Sequence, residues 1–303
     1  SALLANAQPY VVRLNGMRLA IGHNGDIISA PELRKEYEVE GSIFQTTSDT
    51  EIILHSFAKS KKSDLGDRLV DAFTSVREGA CSVVMLINDA LVGMRDVHGY
   101  RPLVLGKVNG VYVLASETCA FNIMGAEYLR VVEPGEIVMI NKEGVKSIKP
   151  FESSKRAHCI FELAYFSRPD STVYDIPSSV VREALGAKLR EEDNVGGDVV
   201  ISVPDSGNHA ALGYSRESGI PLGFGFIRSH YGGRTFIAPF QKMREADVLK
   251  KLTANKHVVR NKKVIVVDDS IVRGTTVKKV TSMLRHAGAL EVHWRIAFYP
   301  WSA

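Results

Sequence analysis

Cysteine is scarce in this sequence of 303 residues: there are 3, Cys81, Cys119 and Cys159, and no two form a Cys-x-x-Cys pair. An odd, widely spaced set excludes a disulfide framework and fits a reducing compartment. Cys81 and Cys119 lie among apolar neighbours and read as core thiols. No apolar run reaches membrane-spanning length and no secretory leader is visible, so a cytoplasmic protein with no membrane partner is expected. Excess charge is also small. A net charge of +4 suits an anionic small substrate but is too diffuse to indicate nucleic-acid binding. The cluster Lys59, Lys61 and Lys62 reads as a solvated turn. What remains, 45% hydrophobic and 24% charged residues, is soluble globular composition with room for two domains.

The most informative stretch is Val264-Ile-Val-Val-Val-Asp268-Asp269-Ser270-Ile271-Val272-Arg273-Gly274-Thr275-Thr276. Its apolar start reads as a strand buried on both faces. Two carboxylates and a short loop follow, and then Val277, Val280, Met283, Leu284 and Ala287 recur at helical spacing, with Gly288 as the stop. Strand, loop and helix in that order make a phosphate cradle, because loop N–H groups and the positive helix end face an anion. Neighbouring strand residues point to opposite faces, so Asp268 and Asp269 reach one ligand only if the strand ends there. Carboxylates repel phosphate, so they should meet hydroxyls or a metal instead. A ribose carrying a 5-phosphate offers both kinds of group. The stretch resembles the phosphoribosyl pyrophosphate (PRPP) signature of type I phosphoribosyltransferases, and its longer form resembles that of the amidophosphoribosyltransferases.

In the first half, Tyr10–Leu14 and Met17–Gly22 read as strands joined by an Asn15-Gly16 hairpin turn. Helices are expected over Ala30–Tyr37 and Asp67–Arg77, and Ser48 with Glu51 forms a capping-box pattern ahead of Ile52, Ile53, Leu54 and Phe57. Strands follow at Cys81–Ile87, Leu91–Arg95, Leu103–Lys107 and Val111–Ala115. A short helix at Thr118–Met124 then precedes strands at Leu129–Val132, Glu136–Ile140 and Val145–Ile148. Five segments resemble successive motifs of a class II glutamine amidotransferase domain: Asn6-Ala7-Gln8-Pro9-Tyr10, His23-Asn24-Gly25-Asp26, Thr46 to Glu51, Arg95-Asp96 with Gly99 to Leu103, and Ser116 to Cys119. The resemblance implies the N-terminal-nucleophile hydrolase fold (αββα, α+β). It also implies an oxyanion hole from the Asn24 side chain and Gly25 N–H, and glutamine binding by Asp49. Fixed donors and a glycine that admits close backbone approach suit a developing oxyanion. Taken alone, Asn24-Gly25 reads equally well as a turn and Asp49 as a helix cap. No residue here matches the family's terminal cysteine nucleophile or its glutamine-carboxylate arginine segment, so a partial glutaminase domain is expected. Ser1 aligns with an interior position of the family domain and is not the nucleophile.

The polar link Phe151–Ala157 marks the expected boundary, with domains at 1–155 and 156–303. Cys159 to Glu162 and Tyr165 to Ser171 resemble the family segment that joins the halves. One cysteine cannot hold an iron–sulfur cluster, which takes about four thiolates, and none is assigned. Val180–Leu189 reads as a helix, Asp198–Pro204 as a central strand, His209–Arg216 as a helix, and Leu222–Ile227 as a strand. By the resemblance, Asp205, Ser206 and Gly207 hold the pyrophosphate of PRPP, with Ser206 near Mg²⁺. Tyr231 lies in a closing loop whose Arg228-Ser229-His230-Tyr231 departs from the usual Lys-Asn-Arg-Tyr. Met243-Arg244 and Val248–Leu252 continue the pattern on a basic helix, and Val292–Phe298 reads as the last strand. Asp268 and Asp269 are assigned to ribose hydroxyls and Mg²⁺, and Ser270, Ile271, Val272, Arg273, Gly274, Thr275 and Thr276 to the 5-phosphate.

Alternation of strand, loop and helix predicts an α/β parallel sheet for this half. The implied reaction converts glutamine, water and PRPP to phosphoribosylamine, glutamate and pyrophosphate, the first step of purine biosynthesis. A homo-oligomer, dimer or tetramer, is implied as well. Two alternatives share these motifs in part: a PRPP-binding regulator without turnover, which needs no glutaminase motifs, and an ammonia-only variant of the enzyme.

Overall fold

A computed structural model describes residues 4–77, 79–151, 155–228, 252–271 and 274–298. The chain divides into two compact units, one of residues 1–160 with 172–175 and one of residues 161–171 with 176–303.

In the first unit, β1 (Tyr10–Leu14) and β2 (Met17–Asp26) form the expected hairpin. The helices α1 (Ala30–Val39), α2 (Thr50–Lys59) and α3 (Leu65–Thr74) follow. Next come β3 (Ala80–Ile87), β4 (Ala90–Arg95), β5 (Val104–Val108), β6 (Val111–Ala115), α4 (Thr118–Met124), β7 (Glu127–Val131), β8 (Ile137–Asn141) and β9 (Gly144–Ile148). They make a six-stranded antiparallel sheet, β1-β2-β3-β4-β8-β9, and a three-stranded one, β6-β5-β7. Alternation along the strands separates two cores. Val83, Met85 and Ile137 join Ile52, Phe57, Leu69 and Phe73 of the helices, whereas Val138 and Ile140 pack with Leu103 and Leu105 of the second sheet. Helices over stacked antiparallel sheets are the layering expected of this half.

One alternative reading is set aside here and one expectation corrected. Asn24-Gly25 is not a turn; both residues lie inside β2, opposite Ser82 and Cys81 of β3. The capping box also fails to form. Helix α2 begins at Thr50, and the Glu51 carboxylate turns back to accept from the N–H groups of Gln45 and Thr46 and from the Thr46 hydroxyl. Glu51 is buried, and these donors compensate its charge where the N-cap offers one.

The second unit contains β11 (Ile176–Pro177), after the short β10 (Thr172–Val173) of the first unit. It continues with α5 (Ser178–Glu191), β12 (Val199–Ser202), α6 (Asn208–Ser218), β13 (Phe226–Arg228), β14 (Leu252–Ala254), α7 (Lys256–Val259), β15 (Lys263–Asp268), α8 (Thr275–His286) and β16 (Glu291–Ile296). The order β12-β15-β16 is parallel throughout. Val264 and Val266 pack on Val259, Val280 and Leu284, while Ile265 and Val267 pack on Ala210, Ala211 and Tyr214. The apolar run of β15 is therefore buried on both faces.

The strands next to β15 refine the expectations. Within Asp198–Pro204 the strand is Val199–Ser202; it pairs with β15 on one side along its length and with Leu222 on the other by a single parallel bridge. Leu222–Ile227 is not one strand: Leu222 makes a single bridge to Val200, and Phe226–Arg228 pairs separately with β14. Leu252, expected on a basic helix, begins that partner strand, and Met243, Arg244 and Val248 lie outside the described residues.

Candidate functional site

In the first unit the five motifs meet around β2. Gly25 has φ +148°, and a Cβ there would lie 1.8 Å from the carbonyl oxygen of Ala80, so only glycine fits this approach to β3. The Asn24 side-chain amide donates to Ser116 Oγ (3.4 Å), and Ser82, opposite Asn24, donates to the Arg101 carbonyl (3.2 Å). Asp49 stands before α2 without capping it. Its Oδ2 accepts from Ile27 N–H (2.9 Å), and its Oδ1 lies 3.6 Å from His23 Nδ1. The carboxylate thus touches residues on either side of Asn24-Gly25. Burial pushes its pKa up, but His23 and the N–H groups of Ile27 and Thr50 outweigh this and hold it at about 2.

Several residues inside the motif segments carry no role in the sequence reading, and the structure gives them one. Gln8 Oε1 accepts from His23 N–H while its amide reaches Thr50 Oγ1 (3.5 Å), and Asn6 exchanges two hydrogen bonds with Thr47. Arg95 is buried and donates to the carbonyls of Gly99, Arg101 and Val132. Asp96, also buried, accepts from the N–H groups of His98, Tyr100 and Arg101. These side chains satisfy backbone groups that the irregular 96–101 segment would otherwise leave orphaned. The signal was present: a charged pair ahead of Gly99, whose φ of +66° makes the turn.

In the second unit β15 ends at Asp268, which releases Asp269 from strand alternation. The carbonyls of Asp268 and Asp269 are held by Ala297 and Phe298 N–H (both 2.9 Å). Both side chains are buried; Asp269 N–H donates to Asp268 Oδ1 and Ser270 Oγ to Asp269 Oδ1. Asp269 Oδ2 is buried with no hydrogen-bond partner among the described residues. Burial, and then the neighbouring Asp269 charge, push the Asp268 carboxyl well above the usual carboxylate range. The 204–207 loop is pressed onto this strand end, because a Cβ on Gly207 would lie 2.6 Å from the Val267 carbonyl oxygen. Asp205 is exposed and pairs with Arg228 (2.7 Å), while Ser206 is half-buried. Gly274, at φ +67°, opens α8, whose first N–H groups have no partners within the helix. Thr276 is exposed on that first turn and Ile271 half-buried before it. Tyr231, Val272 and Arg273 lie outside the described residues, as does the side chain of Thr275. Among the described residues no three His, Cys, Asp or Glu side chains converge on a metal position.

A family model described as a glutamine amidotransferase domain matches residues 2–122, and one described as a phosphoribosyl transferase domain matches residues 172–300. The fold and these two matches therefore define a chain in which a glutamine amidotransferase domain precedes a phosphoribosyl transferase domain. It is 47% identical over 301 residues to amidophosphoribosyltransferase 2, chloroplastic, of Arabidopsis thaliana, covering 99% of this chain and 54% of that protein. It is 45% identical over 296 residues to amidophosphoribosyltransferase of Bacillus subtilis, covering 97% of this chain and 62% of that protein. A solved structure of glutamine PRPP amidotransferase from B. subtilis, complexed with ADP and GMP, superposes with a TM-score of 0.91 at 44% identity. That match covers 99% of this chain and 66% of the other. The chain belongs to the amidophosphoribosyltransferase family and spans between 54% and 66% of the length of these relatives.

Proposed function

We propose that this chain serves amidophosphoribosyl transfer, in which ammonia released from glutamine displaces pyrophosphate from PRPP to give phosphoribosylamine. The observation that carries the reading is the buried Asp268–Asp269 pair at the end of a parallel strand, with one oxygen unpartnered. Two adjacent carboxylates out of water need a partner, and ribose hydroxyls or a divalent cation supply one. The donor set suits Mg²⁺, which Asp268 and Asp269 would hold with Ser206 near, and which would neutralise charge on the departing pyrophosphate. Gly207 lets the 204–207 loop approach the leaving group, and Ser270 to Thr276 with the start of α8 receive the 5-phosphate. As the anomeric C–O bond breaks, positive charge grows at carbon and the ammonia nitrogen bonds there.

We assign residues 1–155 the glutamine-binding and oxyanion-stabilising part of glutamine hydrolysis, with Asn24 and Gly25 N–H donating to the oxyanion, Asp49 holding the substrate ammonium, and the nucleophile matched by no residue of this sequence. The reading is supported by the meeting of five separated motifs around β2. Water exclusion over the transferase site falls to the segment containing Tyr231.

The test is pyrophosphate release from Mg²⁺-PRPP with ammonium or glutamine as separate donors. Release with ammonium that disappears in Asp268→Asn and Asp269→Asn is expected. Release with ammonium but not glutamine would assign this chain the transferase half alone. Binding of PRPP without release from either donor would overturn the enzyme reading in favour of a PRPP-binding regulator.

A further inference from the structure

The side chain of His23 is 1% exposed on β2, immediately before Asn24. Its Nδ1 lies 3.2 Å from Thr50 Oγ1, and the Thr50 hydroxyl in turn reaches Asp49 Oδ1 (3.5 Å). Thr50 is fully buried, and its oxygen also meets Ser48 Oγ (3.1 Å) and the Gln8 amide (3.5 Å). The other ring nitrogen, Nε2, is buried with no hydrogen-bond partner among the described residues. An imidazole set among β-strands with one nitrogen left unsatisfied carries a desolvation cost that an apolar residue would avoid. What the ring does make is one polar chain, in which Nδ1 meets Thr50 Oγ1 and the Thr50 hydroxyl reaches Asp49; the tautomer with its proton on Nδ1 makes the ring the donor at the head of this chain.

We propose that His23, acting through Thr50, is the positioning residue for Asp49, fixing that carboxylate beside Asn24-Gly25 so that it can receive the α-ammonium of an amino-acid substrate. The inference rests on the glutamine-binding reading of Asp49 and adds to it the groups that orient it. One rotamer of Asp49 is selected because each oxygen has its own donor: Ile27 N–H on Oδ2, and on Oδ1 the Thr50 hydroxyl, which His23 Nδ1 meets in turn. The substrate then meets a carboxylate that needs no reordering.

The experiment compares the full chain with His23→Asn, His23→Leu, Thr50→Val and Asp49→Asn. Asn places an amide donor where Nδ1 stands, whereas Leu fills the same space without one. Two readouts are taken: L-glutamine affinity by calorimetry, and ionisation of Asp49 by carbon-13 NMR. The expected result is glutamine binding weakened by roughly tenfold or more in His23→Leu and Thr50→Val, the worth of a hydrogen bond to a charged group. His23→Asn should return most of it. By NMR, Asp49 should stay ionised near pH 3 in the parent and His23→Asn, and be substantially protonated there in His23→Leu.

If His23→Leu matches His23→Asn in both readouts, the positioning role is overturned and His23 is packing only. If Asp49→Asn leaves glutamine affinity unchanged, or the parent chain does not bind glutamine, the glutamine-binding reading of Asp49 fails. The NMR comparison still decides the His23–Asp49 link in that case.

Discussion

Gly207 approaches Val267 so closely that a Cβ on the glycine would lie 2.6 Å from the valine carbonyl oxygen. The atom it would strike is backbone at the carboxyl end of β15, one residue before Asp268, so neither side can yield without moving the site. Gly207→Ala is expected to destabilise the protein by about 1–3 kcal/mol, as overpacking does. It should also weaken PRPP binding by displacing the 204–207 loop. Urea denaturation and a Mg²⁺-PRPP titration check the two effects.

Gly25 is the sharper case, because the obstructing Ala80 oxygen is only 1.8 Å from the Cβ position and φ is +148°. Gly25→Ala must part β2 from β3 at the Gly25–Cys81 pair. A loss of about 3 kcal/mol or more is expected, with hydrogen exchange rising first at the amides of these two strands.

Asp49 sets an acid limb. Its pKa falls from 3.8 in the unfolded chain to about 2 in the folded one, so its contribution to stability is present above pH 4 and is lost as pH falls toward 2. The side chain is 24% exposed, so solvent screening reduces the contribution to on the order of 1 kcal/mol. Between pH 4 and 2, Asp49→Asn should lose less stability than the parent. Thermal melts at several pH values measure the difference, and an equal slope would refute the assignment.

Arg95 donates to the carbonyls of Gly99, Arg101 and Val132 from a buried position. Arg95→Met keeps much of the volume but leaves these oxygens without their donors. A cost of about 3 kcal/mol or more is expected, seen as a lower urea midpoint with an unchanged slope. Asp96→Asn should loosen the same segment less, since the amide oxygen still accepts.

Much of the fold was legible because the information is local. The five apolar residues before Asp268 specify a strand buried on both faces, and Val264 and Val266 do pack opposite Ile265 and Val267. Asn15, Asn88 and Asn109 mark hairpin turns, and all three adopt positive φ. The end of β15 at Asp268, required for both carboxylates to face one ligand, is likewise where the structure ends it.

What the sequence could not decide depends on burial and long-range pairing. Glu51 follows a capping pattern, yet its neighbours in space turn the carboxylate toward Gln45 and Thr46. Asn24-Gly25 has turn composition but lies in a strand, because β3 pairs with it from more than 50 residues away. Gln8, His23 and Thr50 are scattered in sequence, and only tertiary packing joins them around Asp49. The sequence determined the elements and the residue types able to do the chemistry, since backbone preference and hydrophobic period act over a few residues. Tertiary structure decided which polar groups are removed from water together, and that desolvation sets their charge and orientation.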